Sequence, residues 1–335
     1  MNTIKEIKLT AGSIFCGIGG FCSGFREFGI DTIWAIDIDQ RVGQSYEKNY
    51  GKNRFIQSDV RAVKDSIASE QKLEPVDILH AGFPCQSFSM AGNRNGFNDS
   101  RGQLFFELIR IIKEFREDKP AALVFENSPY LKIGERGEWF NKVKFAIQEA
   151  GYWFKESNAL TLDPQEHLGL PQYRPRLFMI ALNRERFRNG RIDFSIEPPK
   201  ERKLLSDIIN FKGEVDDGYY LDIENRYYSM ISSKRSDEEE VLYQLRKFRV
   251  RTKNHCPTLT ANMGLGGHNV PFLFDRRGLR KLTEAECLKL QGFNKFIFPD
   301  EQTSASKYLQ IGNSVHVDVA KLIAQTLIKK FKGLL

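Results

Sequence analysis

The 335-residue sequence predicts an α/β fold: a doubly wound, mainly parallel sheet with a second, smaller domain inserted into it. Three observations carry this. Short apolar runs alternate with longer amphipathic stretches over residues 12–182, the rhythm of βα units. That rhythm stops over residues 184–252, which are rich in Arg, Lys, Asp and Tyr. A strongly amphipathic stretch then returns at 315–331. At roughly 150 residues per domain, the length also suits two domains.

Taken in order, strands are expected at 13–15, 32–36, 55–56, 76–79, 121–125 and 177–182. Between them lie helical patterns such as Leu104, Phe105, Leu108, Ile109, Ile112 and Phe115, spaced as one buried helix face requires. The main domain is assigned to 1–183 and 305–335, the inserted domain to 184–279 and a hinge to 280–304. Helices are expected at 283–290 and 315–331, after a Gly-rich loop at 264–267. No repeat of fixed period appears, which argues against solenoids and propellers.

Composition narrows the class. With 41% hydrophobic and 28% charged residues, the chain is globular rather than disordered. Its net charge of +7 invites a polyanionic partner without establishing one. No apolar run nears the ~20 residues that span a bilayer, so no membrane association is expected. The start, MNTIKEIKLTAGSIF, lacks a continuous apolar region and carries Glu6, unlike a secretory signal. The five cysteines are odd in number and form no CxxC pair, which disfavours a disulfide framework or a zinc site and fits a reducing cytosol.

In an open parallel sheet, ligands bind outside the carboxyl ends of the strands. After the first strand comes Phe15-Cys16-Gly17-Ile18-Gly19-Gly20, leading into a helix with Phe21, Phe25 and Phe28 on one face. Glycines here let a ligand approach the backbone at a helix N-terminus. A dinucleotide fingerprint GxGxxG would need glycine at position 22, where Cys22 stands, so a nicotinamide dehydrogenase is disfavoured. Asp37 ends the second strand, where an acid can bind ribose hydroxyls. Asp59 ends the third and could accept from an adenine amino group. Taken singly, each acid is ordinarily a turn or cap residue; their joint placement at successive strand ends is what suggests a site. An adenosine cofactor without a pyrophosphate fits this loop, which points to S-adenosylmethionine. The fourth strand opens into Gly82-Phe83-Pro84-Cys85-Gln86-Ser87-Phe88-Ser89. A lone Cys is usually inert core, but Cys85 follows Pro84 on a polar loop, and Arg174 and Arg176 are candidate cations to favour its thiolate. The fifth strand ends in Phe125-Glu126-Asn127, a carboxyl beside the Cys loop if the two strands are neighbours.

These residues, in this order, resemble the DNA (cytosine-5)-methyltransferases of bacterial restriction-modification type. The Gly82–Ser89 run is similar to the family's nucleophile motif, and the loop at 15–20 to its cofactor loop. Asp99-Ser100-Arg101-Gly102-Gln103-Leu104-Phe105, Glu126-Asn127 and Gln172-Tyr173-Arg174-Pro175-Arg176 match three further motifs. Arg280-Lys281-Leu282-Thr283 through Leu290-Gln291-Gly292-Phe293 resembles the hinge motif, and Gln310-Ile311-Gly312-Asn313-Ser314-Val315 closes the series. Departures are Ser128 for a usual valine, Asp37 for a common Glu, Ile38 where an aromatic often packs on adenine, and Glu284 for a usual Pro.

The resemblance implies a class I S-adenosylmethionine-dependent, Rossmann-like fold and transfer of a methyl group to carbon 5 of a flipped-out cytosine in duplex DNA. It makes Cys85 the nucleophile at carbon 6, Glu126 the residue that holds the N3 and N4 edge, and Arg174 and Arg176 the side chains that orient Glu126 and the base O2. Cofactor contacts are implied for Phe15, Gly17, Gly19, Gly20, Asp37, Ile38, Asp59, Val60, Pro84, Leu104, Asn313 and Val315, with no metal. The segment 87–101, with Gly92 and Gly96, followed by Gly102, is expected to close over the base, and 184–252 to read base edges while basic residues hold phosphates. Residues 242–253 interleave aromatics with Arg246, Lys247, Arg249, Arg251 and Lys253 and no acid, which reads as a solvated strand edge or a phosphate-contacting stripe. Residues 184–253 hold sixteen basic and fourteen acidic side chains, so the +7 excess is shared over both domains. A C- and G-rich palindrome such as CCGG or CCNGG is the expected target. A cognate restriction endonuclease on the same site, a monomeric state and a place in the bacterial cytosol complete the expectation. Two alternatives are a tRNA cytosine-5 methyltransferase on the same scaffold and a DNA-binding regulator with a dead site.

Overall fold

Apolar runs covered on both faces become the inner strands of one large sheet. The computed structural model describes residues 8–63, 73–84, 96–99, 102–194, 196–238, 240–246 and 248–333. Cys85 with residues 86–95, Ser100, Arg101, Glu239 and Lys247 therefore lie outside the described residues.

The chain forms two compact units: 1–162 with 175–196 and 319–335, and 163–174 with 197–318. In the larger, the order is β1 (Leu9–Ile14), α1 (Gly20–Arg26), β2 (Ile30–Asp37), α2 (Gln40–Tyr50), β3 (Phe55–Gln57), β4 (Ile78–Gly82), α3 (Leu104–Glu114), β5 (Ala122–Asn127), α4 (Tyr130–Ile133), α5 (Glu138–Glu149), β6 (Tyr152–Trp153) and β7 (Ala159–Leu162). After α6 (Pro164–Leu168), which belongs to the smaller unit, the chain returns as β8 (Arg176–Asn183). The strand order is β3-β2-β1-β4-β5-β8-β6, with β7 also paired to β8. Pairs from β3 to β5 are parallel, whereas β8 runs antiparallel to β5, β6 and β7.

All six expected strands are present, each within a few residues of its expected limits. The order reverses between β1 and β4, so their carboxyl ends open at the topological switch point, where such sheets bind ligands. The α3 face behaves as its spacing predicts. Phe105, Leu108, Ile109, Ile112 and Phe115 are buried, and each such side chain contributes about 1.5–3 kcal/mol.

The smaller unit holds a four-stranded antiparallel sheet, ordered β10-β9-β11-β12, from β9 (Leu242–Arg246), β10 (Arg249–Lys253), β11 (Phe272–Phe274) and β12 (Leu279–Lys281). It also contains α7 (Arg226–Ser232), α8 (Glu284–Leu290) and α9 (Ser304–Asn313); the last helix, α10 (Val317–Lys332), carries the boundary at Asp318. The hinge motif is a buried ion cluster: Arg280 reaches Asp275 at 2.8 Å and both oxygens of Glu286 at 2.8 and 2.9 Å. Glu286 also closes a capping box with Thr283 at the start of α8. Glu284, at the position of the usual Pro, accepts from the hydroxyls of Tyr219 and Ser304 instead. Where the sequence suggested an insertion at 184–279, the compact unit extends over 163–174 and through α9.

His80, in β4, is fully buried against Phe21 and Phe25 of α1, at ring separations of 4.9 and 5.1 Å. Neither ring nitrogen has a hydrogen-bond partner among the described residues. Burial pushes its pKa down to about 3, so the ring is neutral in the folded protein. The unfolded chain takes up this proton below about pH 6.5. Stability is therefore whole above that pH and falls as pH drops toward 3, by roughly 1.4 kcal/mol per pH unit. His80→Leu is expected to remove this loss. In urea titrations at about pH 6.5 and pH 5, the wild type should lose roughly 2 kcal/mol more than the variant; equal losses would contradict the account.

Candidate active site

The loop after β1 is fixed from below by a residue that motif reading did not single out. Phe15, Gly17 and Gly19 all take positive φ (55°, 77° for Gly19, 50° for Gly17), and Gly20 starts α1. The Tyr50 hydroxyl donates to the carbonyls of Gly19 (2.9 Å) and Ile18 (3.2 Å) and lies 2.6 Å from Ser23 Oγ. A Cβ on Gly19 would stand 2.7 Å from the Tyr50 ring, so glycine is required there for contact as well as for φ. The available signal was the pair Tyr46 and Tyr50, one helical turn apart on α2.

Asp37, at the end of β2, accepts from the Gly17 amide at 3.0 Å and from the Asp39 amide at 3.2 Å. Burial raises its pKa, and these two amides partly offset that. Beside it, Ile38 is 63% exposed, an apolar surface at the strand end. Asp59 is engaged locally: Arg61 binds both its oxygens, and the Arg61 amide donates to Oδ1 at 2.9 Å. Its pKa is lowered, chiefly by the Arg61 side chain. Val60 is buried, and its carbonyl accepts from Arg110 at 3.0 Å. Leu104 opens α3 half-buried, against the core. Pro84, half-buried, is the last described residue before Cys85. On the far side of that gap, a Cβ on Gly102 would stand 2.1 Å from the Gly96 carbonyl, so this end of the segment needs glycine for close backbone packing.

The carboxylate sits where strand pairing predicts. Glu126 pairs with Gly82 across β4 and β5, three residues before Cys85 in sequence. Asn127 ties the same edge by donating from Nδ2 to the Phe83 carbonyl at 3.1 Å. Because β8 is antiparallel, its first residue arrives at the carboxyl edge, and Arg176 Nε lies 3.1 Å from Glu126 Oε1. Both side chains are largely buried, so this ion pair is less screened than a surface one.

The described hydrogen-bond partners of Arg174 are other than Glu126. Its guanidinium is buried in the smaller unit, where it donates to the carbonyls of Leu259 (2.5 Å), Gly312 (3.0 Å) and Ser314 (2.6 Å). Its own amide donates to Asp163 Oδ2 at 2.6 Å. The reason is that Gln172 and Tyr173 pair with Cys256, which draws this part of the motif into the smaller unit. Arg174 thus fastens the loop at 257–260 to the end of α9. At that end, a Cβ on Gly312 would meet Thr260 backbone at 2.2 Å. Asn313 is exposed and Val315 half-buried, both in the smaller unit.

The four described cysteines are free thiols. Burial is the leading cause that pushes the thiol pKa of Cys16, Cys22, Cys256 and Cys287 upward, so none is a ready thiolate at neutral pH. Among the described residues, no group of His, Cys, Asp and Glu could hold a metal ion, and no helix is long and apolar enough to cross a membrane.

A mostly parallel sheet with a glycine loop and an acid at successive strand ends defines the class I methyltransferase fold. The chain matches the family of C-5 cytosine-specific DNA methylases over residues 9–329, and it belongs to that family. It is a DNA (cytosine-5-)-methyltransferase of that family. It is 36% identical over 328 residues to the type II methyltransferase M.Bsp6I of Bacillus sp. (strain RFL6), covering 96% of this chain and 99% of that one. It is 28% identical to the type II methyltransferase M.HpaII of Haemophilus parainfluenzae, covering 98% and 91%. Among solved structures, the methyltransferase EhMeth of Entamoeba histolytica superposes with a TM-score of 0.72 at 17% identity, over 97% and 99% of the two chains. A Spodoptera frugiperda DNMT2 mutant gives 0.69 at 19%, over 96% and 99%. At these identities the structures speak to the fold alone.

The two arginines of one motif are expected to fail differently. Arg174→Gln leaves buried carbonyls without their donor and should cost about 2–4 kcal/mol in urea unfolding. Arg176→Gln should cost less stability than Arg174→Gln, while methyl transfer to DNA falls on the order of a hundredfold. An Arg176→Gln protein less stable than Arg174→Gln, or a fully stable Arg174→Gln protein, would reverse the assignment.

Proposed function

We propose that this protein is the modification enzyme of a type II restriction-modification system. In this reading it methylates carbon 5 of a cytosine flipped out of a short duplex recognition sequence, with S-adenosylmethionine as methyl donor. The observation that carries the reading is Glu126, held by Arg176 at 3.1 Å on the strand paired to Gly82, which leads into Cys85.

The residues after β1 and β2 suit this donor. The Asp37 carboxylate keeps lone pairs beyond its two amide bonds, as ribose hydroxyls require. Ile38 offers an apolar face for an adenine ring, and the loop at 15–20 leaves open space at half-buried Gly17, with Gly19 and Gly20 as further proposed contacts beside it. Phe15, Asp59, Val60, Pro84, Leu104, Asn313 and Val315 are the further proposed contacts. Since both Asp59 oxygens bind Arg61, contact with an adenine amino group there would share or displace that arginine. When bound, S-adenosylmethionine supplies a methyl group on a sulfonium, an electrophile that unaided cytosine carbon 5 does not attack.

The chain's part is to make that carbon nucleophilic. Cys85 loses its thiol proton to solvent and adds as thiolate to carbon 6, and Glu126, which takes up a proton from solvent as the base binds, passes it to N3, so the ring electrons become available at carbon 5. After transfer, the carbon-5 proton leaves to a water, the carbon–sulfur bond breaks, the thiolate departs and N3 returns its proton. Arg176 keeps Glu126 on the base edge throughout. The assignment of Cys85 gains from the other four cysteines, all held as thiols by burial. An intact acid with its arginine is more than a dead-site regulator needs. The reading further includes a monomer working one base at a time in the bacterial cytosol, with an endonuclease of the same specificity.

Cys85→Ala is expected to abolish transfer of labelled methyl while duplex binding persists; undiminished transfer would sink the mechanism. Parallel methylation of genomic DNA and tRNA, followed by bisulfite sequencing, should mark cytosines in a short DNA sequence, and a signal confined to tRNA would replace the substrate. Tyr50→Phe loosens the cofactor loop without touching the base. The expected result is a KM for S-adenosylmethionine raised about fivefold at nearly unchanged kcat, whereas an unaltered KM would remove Tyr50 from the site.

A further inference from the structure

Strands β9 and β10 form an antiparallel ribbon whose two faces differ. Tyr243 and Leu245 turn inward, and Val250 packs against the same apolar cluster. The opposite face follows from the register: Arg249 stands across from Arg246, and Arg251 across from Gln244. These three arginines are exposed, and they make no ion pair among the described residues. Two like charges directly opposite on one face destabilise a ribbon unless an anion lies over them.

β10 is an edge strand, and charge on an edge ordinarily serves to prevent pairing with another chain. That explanation covers Arg249 and Arg251. It leaves out Arg246, on the inner strand β9, and it leaves out Phe248 at the tip. Phe248 is 72% exposed with φ of 58°, a left-handed conformation that turns usually give to Gly or Asn. A bulky aromatic is thus held out into solvent, on strained backbone, at the end of an arginine-lined ribbon. Strain of this kind clusters at binding sites.

We propose that this ribbon is a DNA-contacting element of the smaller unit: Arg246, Arg249 and Arg251 hold phosphates, and Phe248 stacks against the bases from the tip. The proposal rests on the reading of duplex DNA as substrate and deepens it by naming the side chains that engage it. Phosphates satisfy the opposed arginines, and a base provides the flat apolar surface that matches an uncharged aromatic beside them. The two kinds of contact have separable signatures, because ion release depends on salt and stacking does not.

The test uses the full-length protein and a short duplex bearing the sequence that bisulfite mapping identifies. Phe248→Ala should weaken duplex binding about tenfold with the slope of log affinity against log salt unchanged. Arg249→Gln and Arg251→Gln should each reduce that slope by roughly one. Phe248→Trp, which retains an aromatic, should bind like the wild type, with its added emission quenched when duplex is supplied. Because Phe248, Arg249 and Arg251 are all exposed, none of the four variants should melt below the wild type. Wild-type affinity in Phe248→Ala, or Trp emission indifferent to saturating duplex, would overturn the stacking role. Unchanged salt slopes in both arginine variants would overturn the phosphate role. If the wild type neither binds nor methylates any duplex, the substrate reading itself has failed, an outcome distinct from these.

Discussion

Glu126, a carboxylate at the end of a parallel strand, is met by a cation brought to the same edge of the sheet. A further parallel strand could bring only its own last residue, and the chain would then have to turn back over the site. The reversal of β8 avoids this, because it begins at the carboxyl edge and delivers Arg176 to Glu126 with its first residue. The pair is largely buried, so breaking it on either side would leave a charge in a poorly solvated position. Asn127 acts alongside by tying the end of β5 to the carbonyl of Phe83, two residues before Cys85.

The ends of β1 and β2 follow the same economy. Asp37 serves the loop first, as acceptor for the Gly17 amide, and retains capacity for a ligand. Tyr50 supports that loop from α2, through a hydroxyl shared among Gly19, Ile18 and Ser23. Asp59 is the contrasting case: its placement matched the pattern, and its carboxylate is nonetheless closed into a turn by Arg61.

Much of this was legible in the sequence, and the rest was not for identifiable reasons. The strands and the α3 face announce themselves through local periodicity, and Glu126 could be located because β4 and β5 are neighbours. Periodicity carries no sign of strand direction, so the reversal of β8 had no local signature. Arg174 and Arg176 were indistinguishable by residue type and spacing. What separates them is long-range, since the carbonyls that bind Arg174 lie 85, 138 and 140 positions away. The same distant bonding draws residues 163–174 and α9 into the smaller unit, beyond the insertion that charge and composition suggested. Tyr50 was missed because an aromatic on an amphipathic helix reads as core, and only its hydroxyl reveals the second task.

The boundary between the units passes between Arg174 and Pro175, inside a five-residue motif. Chain continuity and modular identity therefore part company there. A natural or engineered exchange that swapped only the stretch between β8 and α8 would leave Asp163, Arg174 and Gly312 fitted to the loop of the former occupant. The heritable module is discontinuous: residues 163–174 and the segment through 318 have to travel together, while Arg176 stays with the sheet. Recombination at a single crossover cannot move such a module whole, because residues 175–196 of the larger unit lie between its two segments.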